Sequence, residues 1–492
     1  MSGEYGKYLN LGGQQKRADV LRYFDEHMSK DAAYPSTRPS VGDSPDYEAD
    51  HLNRKDGKHD SPVDEAGSSW EEASVTFAPP GPCYYGLRNN VSTHEMELQT
   101  HAFDEGTEEF VNQKSLSKYL RDAVVANNAF ESIKLNTRVE SVRKADGKWQ
   151  LETTTLTKTP LGPQYTQQTY SFDAVIVANG NYHAPNIPDI PGLSEWKQKY
   201  PDRVQHSKLY RRPEGFEGEN VLLVGGGTSS TDIARELAGV SKATFQSVRG
   251  GFFDLPSSLL PENAARIGGI KSFNLNEKAG VNIDSKSAIP GSISLADGTS
   301  LCDIHRVIVA TGYHVSLPFL RDFHRDDLTS AQADESVLIT DGQQTHNLHN
   351  DIFYINDPTL TFIGVPYHTA TWSFFEFQAV AVTQVLLGNV SLPSQSAMRQ
   401  EYNERLERKG AGRSFHSLKG NEQEVNYVKD LVQWVNSELS QLPEDVPKLE
   451  MRGHSEKWFE SYGRRAARFA ALFGSTRDPA LDQKVLAGMV PC

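Results

Sequence analysis

The 492-residue sequence predicts an α/β fold built on parallel sheets, and three observations carry this prediction. Segments 172–178, 221–224 and 306–310 are short and mainly apolar, as strands covered on both faces are. The second of them runs directly into a triple glycine and an amphipathic helix. An acid, an apolar strand and then Ala-Asn-Gly or Ala-Thr-Gly occur in that order twice, at 173–180 and 303–312. Such repeats suit crossings between nucleotide-binding domains.

The first part of the chain has a different composition. Residues 34–71 are dense in Asp, Ser, Pro, His and Lys and nearly lack aliphatic side chains, so they bury too little apolar surface to become ordered. We therefore expect an atypical, partly disordered N-terminal segment over 1–75. From residue 79 the composition becomes globular. The apolar patterns there predict a helix at 116–125 and strands at 133–135, 139–142 and 149–155.

The segment 219–237, ENVLLVGGGTSSTDIAREL, has the strand, turn and helix of a dinucleotide-binding motif. Gly225 allows the tight turn, Gly227 lets a pyrophosphate approach the backbone, and the small Ser230 stands where the helix must pack closely. Thr228 and Ser229 open the helix, where they can bind phosphate oxygens, cap the helix, or do both. The alternative is a glycine turn that merely connects the strand to the helix.

The next strand indicates which nucleotide is bound. An NAD site usually has an acid about 20 residues beyond the glycines, where it bonds the ribose hydroxyl. Here the segment 242–249 ends without an acid and offers Ser247 and Arg249 instead. A hydroxyl and a guanidinium suit a 2′-phosphate, so NADPH is favoured over NADH. The alternative is that Arg249 is an ordinary solvated loop arginine.

The composition limits which compartment and which partners the protein can have. The formal net charge of −14 gives no electrostatic support for nucleic acid or an anionic membrane as a partner. Cys83, Cys302 and Cys492 are widely spaced and form no CxxC pair, which predicts no disulfide and a reducing compartment. No signal segment and no run of about 20 apolar residues is present, so the sequence predicts a cytoplasmic protein.

Seven segments stand out in order along the chain. They are PCYYGLRNNVSTHEM (82–96), DAVIVANGNYHAPNIPDIPGL (173–193), HSKLY (206–210), VLLVGGGTSS (221–230), VIVATGYHVSLPFL (307–320), DPTLTFIGVP (357–366) and WSFFEFQAVAVTQ (372–384). Together they resemble flavin-containing monooxygenases, and the resemblance covers about residues 79–394. These are class B flavoprotein monooxygenases of the N- and S-oxygenating type, and the class also includes Baeyer–Villiger enzymes.

The resemblance implies two doubly wound, Rossmann-like domains, with an NADPH-binding domain inserted into a discontinuous FAD-binding domain. We expect the NADPH domain at 181–304 and the FAD domain at 76–180 and 305–492. The family carries its FAD-binding GxGxxG on the first strand. The nearest candidate here, 9–15, lacks a preceding apolar strand, so no FAD glycine can be assigned.

The resemblance also implies an activity with FAD and NADPH as cofactors and O2 and a small-molecule substrate as partners. The enzyme would oxygenate a nucleophilic sulfur or nitrogen through a flavin C4a-hydroperoxide. Asn90 aligns with the family's catalytic Asn, which contacts flavin and nicotinamide, although Asn89-Asn90 is also good turn chemistry. Leu87, Thr311 and Gly312 fall in the family's cofactor-binding motifs.

Several alternatives remain open at this point. A Baeyer–Villiger monooxygenase is a close variant of the same activity. A flavin-deficient remnant that binds NADP(H) and has a regulatory or interaction role belongs to a different functional class. The sequence predicts no metal site, since its histidines show no convincing pattern with Cys or carboxylate partners. The resemblance allows a homodimer.

Overall fold

The computed structural model of the protein describes residues 70–488, apart from 277, 279, 281, 282, 285, 421, 445, 447 and 449. Most of the segment 1–75, and the weak glycine candidate at 9–15, therefore lie outside the described residues. The described end of that segment is helical, because a helix begins at Trp70 and buries Ala73 and Phe77. None of the described helices combines the length and the apolar character that a membrane span requires.

The described chain opens with three helices and an antiparallel meander. The Asn112 side chain caps the third helix by accepting from the amides of Lys114 and Ser115. The meander packs on the strand layer below it through Trp149, whose Nε1 donates to Thr359 Oγ1 at 2.9 Å. These elements are α1 (Trp70–Phe77), α2 (Thr93–Met96), α3 (Gln113–Ala126), β1 (Thr137–Ala145), β2 (Lys148–Thr159) and β3 (Gly162–Phe172).

A five-stranded parallel sheet forms the middle of the chain, with the strand order β6-β13-β7-β8-β9. A small antiparallel sheet, β10-β11-β12, branches from it. The elements are β4 (Val175–Val177), β5 (Ala184–Pro185), α4 (Leu193–Lys199), β6 (Val204–His206), β7 (Asn220–Val224), α5 (Thr228–Glu236), β8 (Ala243–Ser247), β9 (Ala264–Ile267), β10 (Ile270–Leu275), β11 (Gly291–Leu295), β12 (Ser300–Leu301) and β13 (Arg306–Val309).

A second sheet and five helices complete the described chain. The sheet has the order β15-β16-β17-β4, and its β17–β4 pair is parallel. The short β14 pairs with β5 between the two sheets. These elements are β14 (Tyr313–His314), β15 (Leu348–His349), β16 (Phe353–Tyr354), β17 (Leu360–Phe362), α6 (Trp372–Leu386), α7 (Gln395–Lys409), α8 (Gln423–Ser440), α9 (Glu456–Gly474) and α10 (Pro479–Ala487).

The five-stranded sheet is covered on both faces, as a doubly wound fold requires. Alternate residues of β7 enter different cores: Leu222 and Val224 pack with Trp196 and Phe245 on one face. On the other face Val221 and Leu223 join the core that holds α5. The prediction of a buried parallel strand before the triple glycine is thus confirmed.

Of three further sequence-based predictions about strands, one is confirmed and two need correction. The strand predicted at 306–310 is confirmed as Arg306–Val309, and it pairs inside the five-stranded sheet, between β6 and β7. Of the predicted strand 172–178, only Val175–Val177 pairs in the second sheet, with β17, whereas Phe172 ends β3 and pairs with Trp149. Residues 133–135 are not a strand; they connect the short 3₁₀ helix Phe130–Ser132 to β1.

The cysteines also differ from the expectation. Cys83 is an exposed thiol whose Sγ lies 3.8 Å from the Tyr84 carbonyl oxygen, whereas Cys302 is disulfide-bonded. Spacing along the chain excludes a CxxC pair but does not limit which distant segments meet in the folded protein.

Candidate cofactor site

The turn after β7 requires glycine at its first position and is closely packed at its second. Gly225 has φ +118°, and a Cβ there would lie 2.5 Å from the Ala310 carbonyl oxygen. A Cβ on Gly226 would lie 2.6 Å from Asp254 Oδ1. At Gly227 the nearest atom to such a Cβ is the Phe253 carbonyl oxygen, at 3.7 Å. Ala310 and Asp254 therefore pack closely against the first two glycines, while the third glycine borders open space.

The start of α5 has free donors facing that space. Gly227 is the N-cap and no side chain caps the helix, whose first turn contains no acid. Thr228 and Ser229 are exposed, so their hydroxyls and amides are available to an anion. Ser230 is fully buried and accepts a hydrogen bond from Gln246 Nε2 at 2.9 Å. Ser230 thus joins the helix to β8, as its small size predicts.

The end of β8 carries the two side chains that the sequence assigns to a 2′-phosphate. Ser247 is buried, and its hydroxyl donates to the Gly268 carbonyl oxygen at 2.9 Å. Arg249 is exposed, and no ion pair joins it to an acid within the described chain. Its side chain lies along Gly269, where a Cβ would be 3.2 Å from Arg249 Cγ. Arg249 therefore offers an unpaired guanidinium, whereas Ser247 is engaged within the protein.

The two adjacent asparagines have different roles. Asn89 forms the turn, since its Nδ2 donates to the carbonyl oxygens of Val91 (2.7 Å) and Glu109 (2.8 Å) and its Oδ1 accepts from the Val111 amide. Asn90 is exposed, and none of the hydrogen bonds of the described residues uses its amide. The turn chemistry of this pair therefore belongs to Asn89, and Asn90 remains available to a ligand.

Thr311 and Gly312 form the corner where the chain leaves the five-stranded sheet. The Thr311 hydroxyl donates to the Asn186 carbonyl oxygen, and Gly312 has φ +84°. Arg413 packs on this corner, with its Nη1 donating to the Thr311 carbonyl oxygen at 3.1 Å. Leu87 is half-buried, and its carbonyl oxygen accepts from Gln113 at the start of α3.

Two tyrosine–carboxylate hydrogen bonds hold α5, and the sequence analysis did not predict either. Tyr84 donates to Asp232 Oδ2 at 2.7 Å, and Tyr210 donates to Glu236 Oε2 at 2.7 Å. Burial and the partner carboxylates raise the pKa of both tyrosines, so their hydroxyls stay protonated. Tyr84 lies in the segment that carries Asn90, so its bond ties that segment to the helix behind the glycine turn. The pairing of distant Tyr and Asp residues leaves no local sequence signal.

His206 is a structural residue in this arrangement. Burial lowers its pKa to about 4, so the ring is neutral near neutral pH. Its Nδ1 accepts from the Lys208 amide, and its Nε2 lies 3.1 Å from the Gly312 carbonyl oxygen. Within the described chain no group of three or more His, Cys, Asp or Glu side chains is arranged to hold a metal ion.

The residues fit one dinucleotide well. A glycine turn, an uncapped helix start and the unpaired Arg249 match the pyrophosphate and the 2′-phosphate of NADPH. Over residues 70–488, as far as they are described, no second strand runs through a Gly-x-Gly turn into a helix. The described residues therefore do not provide a glycine turn for the pyrophosphate of FAD.

Comparison with known proteins gives concordant matches. The flavin-binding monooxygenase-like family matches residues 279–452, and the pyridine nucleotide-disulphide oxidoreductase family matches residues 90–355. The chain is 39% identical over 451 residues to flavin-containing monooxygenase ustF2 of Aspergillus flavus, which covers 91% of this chain and 86% of that protein. It is 28% identical over 330 residues to senecionine N-oxygenase of Tyria jacobaeae, covering 66% of this chain and 63% of that protein.

A solved structure shares the fold. The S-allyl-L-cysteine S-oxygenase of Allium sativum aligns with a TM-score of 0.57 at 22% identity, covering 82% of this chain and 84% of that one. Together with the parallel sheet described above, this match confirms the predicted α/β architecture of two Rossmann-like domains.

Proposed function

This chain belongs to the flavin-containing monooxygenase family, and we propose that it uses NADPH and O2 to oxygenate a nucleophilic sulfur or nitrogen atom of a small molecule. It is an oxidoreductase whose cofactors are FAD and NADPH. The observation that carries the proposal is the uncapped start of α5 behind the glycine turn, with the unpaired Arg249 at the end of the neighbouring strand. The relative that is named an N-oxygenase supports nitrogen as one substrate atom.

In this proposal the NADPH phosphates are held by two groups of donors. Gly225 and Gly227 shape the turn beneath the pyrophosphate, and Thr228 and Ser229 bind its oxygens through their amides and hydroxyls. Arg249 pairs with the 2′-phosphate, because a guanidinium forms paired hydrogen bonds with phosphate oxygens.

Ser230 and Ser247 act by positioning rather than by contact. The bond from Gln246 to Ser230 fixes α5 against β8, and the bond from Ser247 to Gly268 fixes the strand end that carries Arg249. Tyr84 adds the third restraint, since its bond to Asp232 sets the distance between α5 and the Asn90 segment.

Four residues are assigned to the region where the two cofactors meet. Asn90 gives and accepts hydrogen bonds there without supplying an acidic proton, Leu87 adds apolar cover, and Thr311 and Gly312 shape the backbone corner. When bound, FAD supplies the activation of oxygen. The protein's own tasks are to orient NADPH, exclude water and donate hydrogen bonds.

We assign the domains accordingly. The NADPH-binding domain spans 181–309, so that it includes β13, and it is inserted between the two parts of the FAD-binding domain, 76–180 and 310–492. Family membership favours the enzyme over a flavin-deficient remnant with a regulatory role.

The test is an oxygen-labelling experiment on the purified, FAD-supplemented protein. With labelled dioxygen, a thioether or a tertiary amine should gain one labelled oxygen atom for each NADPH consumed. Asn90→Ala should lower product per NADPH and raise released peroxide, while Asn89→Ala should mainly lower stability because Asn89 holds the turn. NADPH consumption with lactone formation from a cyclic ketone and no labelled thioether or amine product would replace the proposal with a Baeyer–Villiger activity. Absence of any labelled product would refute it.

A further inference from the structure

The geometry points to a carboxylate-binding subsite for the substrate, formed by Arg413, Lys419 and Tyr367 beside Phe252 and Phe253. This inference rests on the proposed function, because it names the class of substrate: a small thioether or amine that also carries a carboxylate. The subsite lies between the loop that follows β8 and the loops around α6 and α7.

Arg413 is a half-buried cation that has no acidic partner within the described chain. Its guanidinium lies 5.0 Å from the ring centroid of Phe253, and its Nη1 donates to the Thr311 carbonyl oxygen at 3.1 Å. A Cβ at Gly312 would collide with its Nη2. The Arg413 guanidinium therefore packs against the Thr311–Gly312 corner. The Phe253 ring and the Thr311 carbonyl oxygen are neutral partners, so they do not cancel its positive charge.

Lys419 brings a second unpaired cation to the same aromatic cluster. Its Nζ donates to the Phe252 carbonyl oxygen at 3.0 Å and lies 4.5 Å from the Phe252 ring centroid. The rings of Phe252 and Phe253 are 5.1 Å apart, so the two cations flank one pair of rings. Phe252 is 50% exposed, which leaves apolar surface for the carbon chain of a ligand.

The segment 367–371 supplies an independent indication of a ligand. The Tyr367 hydroxyl is buried without a hydrogen-bond partner, as is Thr371 Oγ1. His368 has φ +63° and Thr371 has φ +57°, the left-handed region that side chains other than glycine rarely adopt. Unsatisfied polar atoms and backbone strain of this kind concentrate at ligand sites.

The protonation states of the neighbouring groups favour an anion. Burial raises the pKa of Tyr367, so its hydroxyl keeps its proton and can donate it. Burial, with Lys419 nearby, lowers the pKa of His368 to about 4, so this ring adds no charge near neutral pH. The Tyr367 ring lies 5.9 Å from that of Phe253, which places its hydroxyl in the same cluster as Arg413.

A carboxylate is favoured over a phosphate because the phosphates of NADPH already have their donors at the glycine turn and Arg249. Two further cations remain at the domain junction of a chain whose net charge is −14. Such a chain repels anions over most of its surface, so a local pair of cations is what an anionic substrate requires. A guanidinium also fits a carboxylate through two parallel hydrogen bonds.

The experiment measures equilibrium binding by calorimetry on the full, FAD-supplemented chain, so that it does not depend on turnover. The probes are the thioether acid methylthiopropanoate and its uncharged alcohol, methylthiopropanol, each titrated with NADP⁺ present. Wild type should bind the acid about tenfold or more tightly than the alcohol. Arg413→Gln should abolish most of this preference, and Lys419→Gln should reduce it less. The control is Arg408→Gln, an exposed arginine of α7 that should change neither affinity.

A second measurement on each variant separates binding of the substrate carboxylate from binding of the cofactor. NADP⁺ affinity is measured on each variant: if Arg413→Gln weakens NADP⁺ and the acid equally, the anion is a phosphate of the cofactor and the subsite is refuted. Equal binding of acid and alcohol by wild type would also refute it. Tyr367→Phe removes a single hydroxyl and should weaken the acid alone, which provides a test if Arg413→Gln does not fold. Acid binding without any oxygenation would contradict the proposed function and leave the subsite standing.

Discussion

Strands β4 and β13 end in closely similar sequences, yet their surroundings differ. β13 lies between β6 and β7, and Val307, Ile308 and Val309 are all buried. β4 pairs only with β17 among the described residues, and Ile176 is 46% exposed. The shared pattern thus identifies a strand that ends in a glycine corner, but the number of neighbouring strands decides whether its side chains are covered.

The domains that contain these strands also differ. The five-stranded sheet has a core on each face and a complete glycine turn at its edge. The four-stranded sheet has an apolar strand at its edge, and helices α6 and α8 pack against it. Buried ion pairs occur in both domains, at Glu219 in the first and at Asp351 in the second. We therefore expect the two domains to respond differently to substitution.

The largest effect should come from the charge network of the second domain. Asp351 is fully buried. Its carboxylate accepts two hydrogen bonds from the Arg405 guanidinium (2.8 and 2.7 Å) and one from His416 Nδ1 (2.8 Å). Asp351→Asn should lower the free energy of unfolding by about 3–5 kcal/mol, because it leaves Arg405 without its counter-charge. Urea unfolding measures this, with the exposed turn residue Asp146→Asn as control. Equal effects of the two variants would show that the network does not support this domain.

The same network predicts a dependence on pH. Burial alone would raise the pKa of Asp351, but Arg405 and His416 outweigh it and hold the pKa well below its usual range. A lowered pKa in the folded state gives stability that is present above the unfolded-state pKa and is lost as the pH falls toward the folded-state value. The difference in unfolding free energy between wild type and Asp351→Asn should therefore become smaller as the pH of the unfolding experiment is lowered. A constant difference would contradict the assignment.

A smaller effect is expected from a matched pair in the two similar strands. Ile308→Ala should lower the free energy of unfolding by about 2–5 kcal/mol, because Ile308 is only 3% exposed and its truncation leaves a cavity. Ile176→Ala should cost about 1 kcal/mol or less, because nearly half of its surface already faces solvent. Chemical denaturation measures both. Equal losses of unfolding free energy in the two variants would mean that β4 is covered as fully as β13, which would contradict the difference described above.

The smallest change in the free energy of unfolding is expected at Arg249, because its side chain is exposed, but its effect on the kinetics should be plain. Arg249→Ala should raise the KM for NADPH about tenfold or more and leave that for NADH nearly unchanged, because only NADPH carries the 2′-phosphate. Lys271→Ala, at an exposed cation of β10 in the same domain, is the control. An equal loss with both nucleotides would refute the 2′-phosphate assignment.

The sequence predicted those features that depend on contiguous residues. The buried strand before Gly225, the free start of α5 and the close packing of Ser230 all follow from the local pattern. The distinct roles of Asn89 and Asn90 did not, because both residues suit a turn and only the folded backbone shows which one makes it.

Features built from distant segments could not be predicted. The Tyr84–Asp232 bond joins residues 148 positions apart, and Arg413 meets Phe253 only because two domains pack together. The sheet that β13 enters is a feature of the same kind. A strand pattern near a domain boundary does not reveal which sheet the strand enters.

This chain should bind FAD and be reduced by NADPH, and the visible absorption spectrum of the purified protein decides this claim. The protein is purified, incubated with FAD, and desalted to remove unbound flavin. We predict a yellow protein with close to one flavin per chain, whose flavin absorbance is bleached by NADPH in the absence of oxygen and restored by air. A colourless protein that retains no flavin after incubation would contradict the claim.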